Sequence, residues 1–334
     1  MLETDSLDEC SILLTGGTGF FGRALLRRLS SIRNTAVPPF SCCVVTRSPE
    51  RFLELHPEFS GHEWLRFHRG NIASPESLPF HDRFSHVIHA AADSSTSQIP
   101  SPLDRFDQIA GGTRNVLDLS LHVGAKRFLL TSSGAVYGSQ PSNLERIPED
   151  WHGAPDPVKV GDVYGIAKIA AEHLCTLYAD AFGLECIVAR CFAFVGPDLP
   201  LNVHFAIGNF IRDALWGKEI VVHGDGSPVR SYMHQNDLAW WLIELLFRGT
   251  AGHAYNVGAD RALSIKELAF MVRDILAPEK PVRFNGFPSQ DTNRNRYIPD
   301  INKACTTQNL TLEYSLEEAI RDTAETLLKA NRHS

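Results

Sequence analysis

Along its first half the chain alternates short, wholly apolar runs with longer stretches of helical period. "SILLT" (11–15), "CCVVT" (42–46), "HVIHAA" (86–91), "RFLLTSS" (127–133) and "LECIVAR" (184–190) lack the every-second-residue polarity of a half-wet strand. Each therefore predicts a strand buried on both faces. Between them, residues 20–31, 103–123 and 162–182 carry apolar positions at helical spacing. Such alternation predicts a parallel sheet covered on both faces, with right-handed crossovers.

After "FVGPDLP" (194–200) the rhythm breaks. Pro197, Pro200, Gly208, Gly217, Gly224 and Gly226 divide the rest into short elements. These are a helix at about 236–247, a strand at 254–257, a helix at 264–276 and a last helix opened by a Ser315/Glu318 capping box. The pattern predicts a sheet domain over 1–197 and a smaller α/β lobe over 198–334, some segments of which cross back to the sheet.

"LLTGGTGFFGRALLRRL" sets Gly16, Gly19 and Gly22 between the first strand and the first helix. Glycine lets a backbone turn tightly and approach a phosphate, and the helix N-terminus offers it unpaired N–H groups. Three glycines also suit a plain turn; their place after a buried strand favours a dinucleotide. A NAD site usually ends its second strand with an acid for the ribose 2′-hydroxyl. Here that strand ends in Thr46, Arg47 and Ser48, with no acid before Glu50. A planar guanidinium and hydroxyls suit a 2′-phosphate, which favours NADP(H) with NAD(H) as the alternative. Arg47 as a plain surface residue, or stacked on adenine, fits the same pattern.

In "DVYGIAKIAAEHL", Tyr164 and Lys168 are four apart and share a helix face. A nearby ammonium stabilises phenolate and brings tyrosine into the range of an acid/base. Exposed Tyr–Lys pairs also occur without function. The hydroxyl-rich strand end "TSSGAVYG" (131–138) and the glycine loop favour the chemical reading.

Taken in order, "TGGTGFFG", "HAAA" (89–92), "TSSGAVYG", "YGIAK", "RCFAFVGP" (190–197), "GDGSPVRSY" (224–232), "YNVG" (255–258) and "SLEEAIRDT" resemble the extended, nucleotide-sugar-modifying branch of the short-chain dehydrogenase/reductase superfamily. The resemblance spans nearly the whole chain. It implies a Rossmann-type doubly wound parallel sheet with a smaller C-terminal α/β substrate lobe. It implies Tyr164 as acid/base, Lys168 on the nicotinamide ribose and Ser133 on the sugar oxygen. Gly16, Thr18, Gly19, Phe20, Phe21, Gly22, Arg47, Ser48, Asn71, Ile72, Ala90, Ala91 and Ala92 would then line the cofactor, Asn71 standing where relatives usually have Asp. Arg230 and Arg296 would hold the diphosphate of a nucleotide sugar, as charge-assisted donors; surface salt bridges are the other reading of both. Ala193 stands where relatives commonly carry Asn. Helices 103–123 and 162–182 correspond to those through which relatives pair, so a homodimer is expected.

Related dehydratases place Asp and Glu at Gly134 and Ala135, and decarboxylating relatives use an acid there. Relatives that epimerise beside a ketone have Cys and His where this chain has Ala135 and Asp198. Without a second proton-moving side chain, what remains is hydride and proton transfer at one carbon. The expectation is an NADP(H)-dependent 4-ketoreductase of an NDP-4-keto-6-deoxyhexose, with weak or no dehydratase activity. The alternatives are a 4-epimerase that retains its cofactor and a non-catalytic NADP(H)-binding sensor.

Composition changes this picture little. A net charge of −7 argues against nucleic acid as a partner, and the 14 histidines show no paired metal-ligand spacing with cysteine. The seven cysteines, with Cys42 and Cys43 adjacent in a strand, read as small buried hydrophobes rather than a disulfide framework. The acidic start "MLETDSLDEC" has no apolar segment of a signal peptide, and no run is long enough to span a membrane, so a cytoplasmic protein is expected.

Overall fold

The computed structural model describes residues 10–33, 40–91, 101–201, 205–286 and 296–332. By their contacts the residues divide into two units. One comprises Met1–Val136, Pro155–Arg190 and Ala239–Tyr255; the other comprises Tyr137–Ala154, Cys191–Leu238 and Asn256–Ser334.

The first unit is built on a seven-stranded parallel sheet. Its strands are β1 (Ser11–Thr15), β2 (Ser41–Thr46), β3 (Leu65–Arg69), β4 (His86–His89), β5 (Arg127–Ser133), β6 (Glu185–Cys191) and the strand Ala254–Val257. From one edge to the other the order is Ala254–Val257, β6, β5, β4, β1, β2, β3. Chain progress runs outward in opposite directions from the β1/β4 boundary, which is where doubly wound sheets open a crevice at the strands' carboxyl ends. Leu13, Val87, Phe128 and Leu130 share one buried cluster with Val116 and Leu117 of α4 (Gly112–His122) and Ala167 and Ala171 of α5 (Val163–Phe182). Six of the seven cysteines are buried and none is in a disulfide, as expected of small apolar side chains.

Four expectations change. The strand β3, "LRFHR", was not anticipated because it lies at the sheet edge, half exposed, and so keeps polar residues. The strand from 86 ends at His89, so Ala90 and Ala91 lie beyond it. The single helix over 103–123 is instead a short α-helix, α3 (Pro102–Phe106), a π-turn over Asp107–Gly111, and α4. Gly112 lies where a Cβ would come 2.7 Å from Ile72 Cδ1, so the widened turn brings the helix backbone close to that side chain. Finally, Gly208 does not interrupt structure; it lies inside the helix Ala206–Trp216, where a Cβ would meet Pro200 O at 3.1 Å.

In the second unit, the strand Val229–Arg230 lies between Leu263–Ser264 and Arg296–Tyr297. Asn256 of the "YNVG" motif is fully buried and acts as a hub. Its side chain accepts from Tyr137 Oη at 2.8 Å and donates to the carbonyls of Ile147 and Asp300 at 2.8 and 2.9 Å. The expected capping box at Ser315/Glu318 is formed and opens the helix Leu316–Arg332.

Candidate active site

The candidate cofactor residues fall at the carboxyl ends of four adjacent strands. Gly16, Thr18, Gly19, Phe20, Phe21 and Gly22 join β1 to α1 (Phe20–Arg33); Arg47 and Ser48 follow β2; Asn71 and Ile72 follow β3; Ala90 and Ala91 follow β4. Ala92 lies outside the described residues.

The three motif glycines have different physical duties. Gly16 adopts φ +74°, and a Cβ there would come 2.5 Å from the Ala90 backbone. A Cβ on Gly22 would fall 2.2 Å from Gly17 C, so this glycine lets α1 pack onto the turn. Gly19 is exposed, and a Cβ there would touch nothing in the protein nearer than Gly16 O at 3.5 Å. Its bareness is not demanded by the fold, which fits a phosphate approaching from outside.

A chain of hydrogen bonds fixes this turn from below. Thr113 donates its hydroxyl hydrogen to Ile109 O at 2.6 Å. Its oxygen must therefore accept from His89 Nε2–H at 3.2 Å, which leaves Nδ1 to accept from the Thr15 hydroxyl at 2.7 Å. Thr15 in turn accepts from the Ala91 N–H at 3.3 Å. Burial, helped by the positive charge of Lys168, pushes the His89 pKa down to about 3, so the ring is neutral. His89 thus ties the ends of β1 and β4 to α4. It stands in a motif quoted for the cofactor, yet no periodicity marked it as a link.

The three hydroxyls of "TSS" have separate fates. Thr131 Oγ1 donates to His89 O at 3.1 Å, and Ser132 Oγ donates to Glu172 on α5. Ser133 Oγ accepts the Ala135 N–H at 3.1 Å, which leaves its own hydrogen for another acceptor. Lys168 is buried, and its Nζ donates to Thr131 O at 2.7 Å, 5.9 Å from the Tyr164 ring centre. A Cβ on Gly165 would come 2.7 Å from Ala135 O, so the bare residue beside Tyr164 lets the start of α5 close onto the segment after Ser133. Ser133, Tyr164 and Lys168 are thereby held by one strand end and one helix.

Sequence reasoning passed over Glu172. It accepts from Arg190 Nε at 3.1 Å and from Arg190 Nη2 at 2.8 Å, besides the Ser132 hydroxyl. Its place one turn after Lys168 was the available signal, since a carboxylate on a buried helix face needs a partner.

Arg230 and Arg296 come to neighbouring strands of the second unit, but the register pairs Arg296 with Val229 and Tyr297 with Arg230. Paired residues share a face, so the two arginines leave the ladder on opposite faces. Arg296 Nε donates to Glu145 O at 3.0 Å and Arg230 Nη1 to Val229 O at 2.8 Å.

A switch-point crevice, a glycine turn beneath it and a Ser–Tyr–Lys set on the adjoining strand and helix define a short-chain dehydrogenase/reductase-type nucleotide-binding unit. The profile of the NAD dependent epimerase/dehydratase family matches residues 12–258, and the chain belongs to that family. UDP-glucuronic acid decarboxylase 1 of Danio rerio is 29% identical over 299 residues, covering 89% of this chain and 68% of that protein. The dTDP-glucose 4,6-dehydratase of Streptomyces venezuelae, solved with NAD, is 25% identical with a TM-score of 0.81, over 97% of this chain and 98% of its own. The UDP-glucose 4-epimerase of Thermotoga maritima shares the fold at a TM-score of 0.81 and 24% identity, over 96% of this chain and 99% of its own. Among the described residues no helix is long and apolar enough to cross a membrane, and no group of His, Cys, Asp and Glu could hold a metal ion.

Proposed function

We propose that this protein is an NADP(H)-dependent ketoreductase acting at C4 of an NDP-4-keto-6-deoxyhexose. The observation that carries the reading is the pairing of Ser133, Tyr164 and Lys168 with two bare residues, Gly134 and Ala135, on the segment that α5 closes upon. In this reading the Ser133 hydroxyl donates to the C4 oxygen. Tyr164 delivers a proton to that oxygen, and the Lys168 ammonium stabilises the phenolate left behind. A nicotinamide dinucleotide held through its phosphates at the glycine turn would supply the hydride. The ketone gains one hydride and one proton, and no further side chain is needed to move a second proton. Arg47 and Ser48 favour the 2′-phosphorylated cofactor. Arg230 is the residue proposed for the substrate diphosphate; Arg296, turned to the other face of its ladder, is the weaker candidate.

Purified protein given NADPH and a dTDP- or CDP-4-keto-6-deoxyhexose should consume NADPH in proportion to the sugar reduced. Interconversion of UDP-glucose and UDP-galactose without added cofactor would assign the 4-epimerase reaction instead, and carbon dioxide release from UDP-glucuronate would overturn both. Tyr164→Phe should abolish turnover while cofactor binding persists; persistence of both would instead leave Tyr164 outside the mechanism. We also infer a homodimer. Leu103, Ile169, Leu177 and Phe182 expose large apolar side chains on Pro102–Phe106 and α5, and light scattering at the mass of one chain would refute pairing.

A further inference from the structure

The corner at the end of β2 holds an arginine that sequence reasoning did not assign. Arg69 is the last residue of β3 and pairs in register with Thr46, the last residue of β2. Its Nη2 lies 2.5 Å from Glu50 Oε2, and its Nη1 donates to the Arg47 carbonyl oxygen at 3.4 Å. The guanidinium therefore sits at the same turn that carries Arg47 and Ser48. All four residues, Arg47, Ser48, Glu50 and Arg69, are exposed.

Glu50 is the first carboxylate after β2, and so the nearest group of the kind that accepts from a ribose 2′-hydroxyl in a NAD site. We propose that Arg69 is a cofactor-selecting residue: it engages Glu50, the acid a 2′-hydroxyl would use, and offers a 2′-phosphate a second guanidinium beside Arg47. The Glu50 carboxyl is held below the usual carboxylate range by its own backbone N–H and by the Arg69 guanidinium. It therefore stays anionic and paired at neutral pH. An ion pair this exposed is weak. A phosphate dianion can share the five donors of Arg69 without first breaking a strong bond. Arg51, also exposed on α2 (Pro49–Leu55), adds to the positive charge of the corner. This inference rests on the NADP(H) reading and says which residue beyond Arg47 enforces it.

Isothermal titration of the full chain with 2′,5′-ADP and with 5′-AMP isolates the phosphate from all later chemistry. The unmodified protein should bind 2′,5′-ADP about tenfold or more tightly than 5′-AMP. Arg69→Ala should lose about fivefold or more of the 2′,5′-ADP affinity, with 5′-AMP binding unchanged or tighter, as Glu50 is released. Arg69→Lys, which keeps the charge without the fork, should fall between. Glu50→Gln should leave the 2′,5′-ADP preference intact, because the phosphate then meets Arg69 without a competing carboxylate. If Arg47→Ala removes the preference while Arg69→Ala leaves the ratio of the two affinities unchanged, the role of Arg69 is refuted and the NADP(H) reading stands. If the unmodified protein binds both probes equally, the cofactor reading falls and this inference with it. Melting curves of Arg69→Ala should match those of the unmodified protein, since the side chain is exposed.

Discussion

Replacing Glu172 by alanine removes the acceptor of three donors in one step. Two come from Arg190, 18% exposed, and one from the buried Ser132 hydroxyl; Glu172 itself is only 14% exposed. Removing one partner of a fully buried ion pair costs about 3–5 kcal/mol, because the other charge is left without compensation. The residual exposure lets water reach Arg190, which moves the cost to about 2–3 kcal/mol. The orphaned Ser132 hydroxyl adds about 1 kcal/mol. At about 2.1 cal/mol/K of unfolding entropy per residue, a loss of about 3–4 kcal/mol corresponds to a fall in melting temperature of about 4–6 °C for a chain of 334 residues. Glu172→Met and Arg190→Met should each cost a similar amount. The pair Glu172→Met with Arg190→Met should cost clearly less than the sum of the two, because two apolar side chains need no counter-charge. The assay is a double-mutant cycle in urea unfolding, expected to return a coupling of about 2 kcal/mol. Turnover gives an independent readout. Glu172 links α5 to the strand end that carries Ser132 and Ser133, so Glu172→Ala should lower kcat more than it weakens nucleotide binding. Single losses below about 1 kcal/mol with no coupling would refute the claim that this pair holds the site.

Other expectations follow from the same geometry. Gly19→Ala meets no protein atom closer than 3.5 Å and should keep the melting temperature while weakening dinucleotide binding; Gly22→Ala drives a Cβ to 2.2 Å from Gly17 C and should destabilise the fold itself. Equal melting of the two variants would show that the glycines are not divided in this way. Burial lowers the His89 pKa to about 3 and the His86 pKa to about 4 from an ordinary 6.5. Both rings are neutral when folded and gain a proton more readily when unfolded, so stability should fall as pH drops below about 6.5, by up to about 1.4 kcal/mol per pH unit for each ring. The loss from His86 should level off near pH 4, and that from His89 near pH 3. His89→Gln should flatten the pH dependence of the urea midpoint between pH 4 and 6, and an unchanged slope would mean that His89 is already protonated in the fold.

The central strands were legible because a strand buried on both faces has no polar alternation to conceal it, as in β1 and β2, whose inner residues are all buried. The strand β3 was not, since "LRFHR" at the edge carries two arginines and a histidine. The π-turn at Asp107–Gly111 is hard to read from periodicity, because one added residue shifts the apolar face by about 100°, no more than the stripe is wide. Gly208 misled for a different reason: what it marks is a close approach to Pro200, a tertiary contact that local composition does not encode. In the site, Ser133, Tyr164, Lys168 and the glycines could be read as types at fixed spacing. Glu172, His89 and Arg69 could not. Each acts through partners 18 to 74 residues away in the chain, and only the folded register brings those partners within reach.

The same register bears on reaction type. The segment Gly134–Tyr137 is gripped from two sides, with Ser133 Oγ accepting the Ala135 N–H at 3.1 Å and Ala135 O backed closely by the start of α5. Its backbone is held fast, so the groups it presents are those of its own side chains. Two of these are a hydrogen atom and a methyl group. Reactions that expel water or carbon dioxide need more than oxidation at C4. They need a group that takes or gives a second proton in reach of C5 or C6, and the proposed reductase reading rests on Gly134 and Ala135 offering none. The curated relatives at 27–29% identity include UDP-glucuronic acid decarboxylases, and this chain keeps the glycine turn and the Tyr164/Lys168 spacing on which a hydride-transfer step would rest. Likeness across the whole chain therefore speaks for the family, and the proposal of a reductase within it stands or falls with the two residues after Ser133.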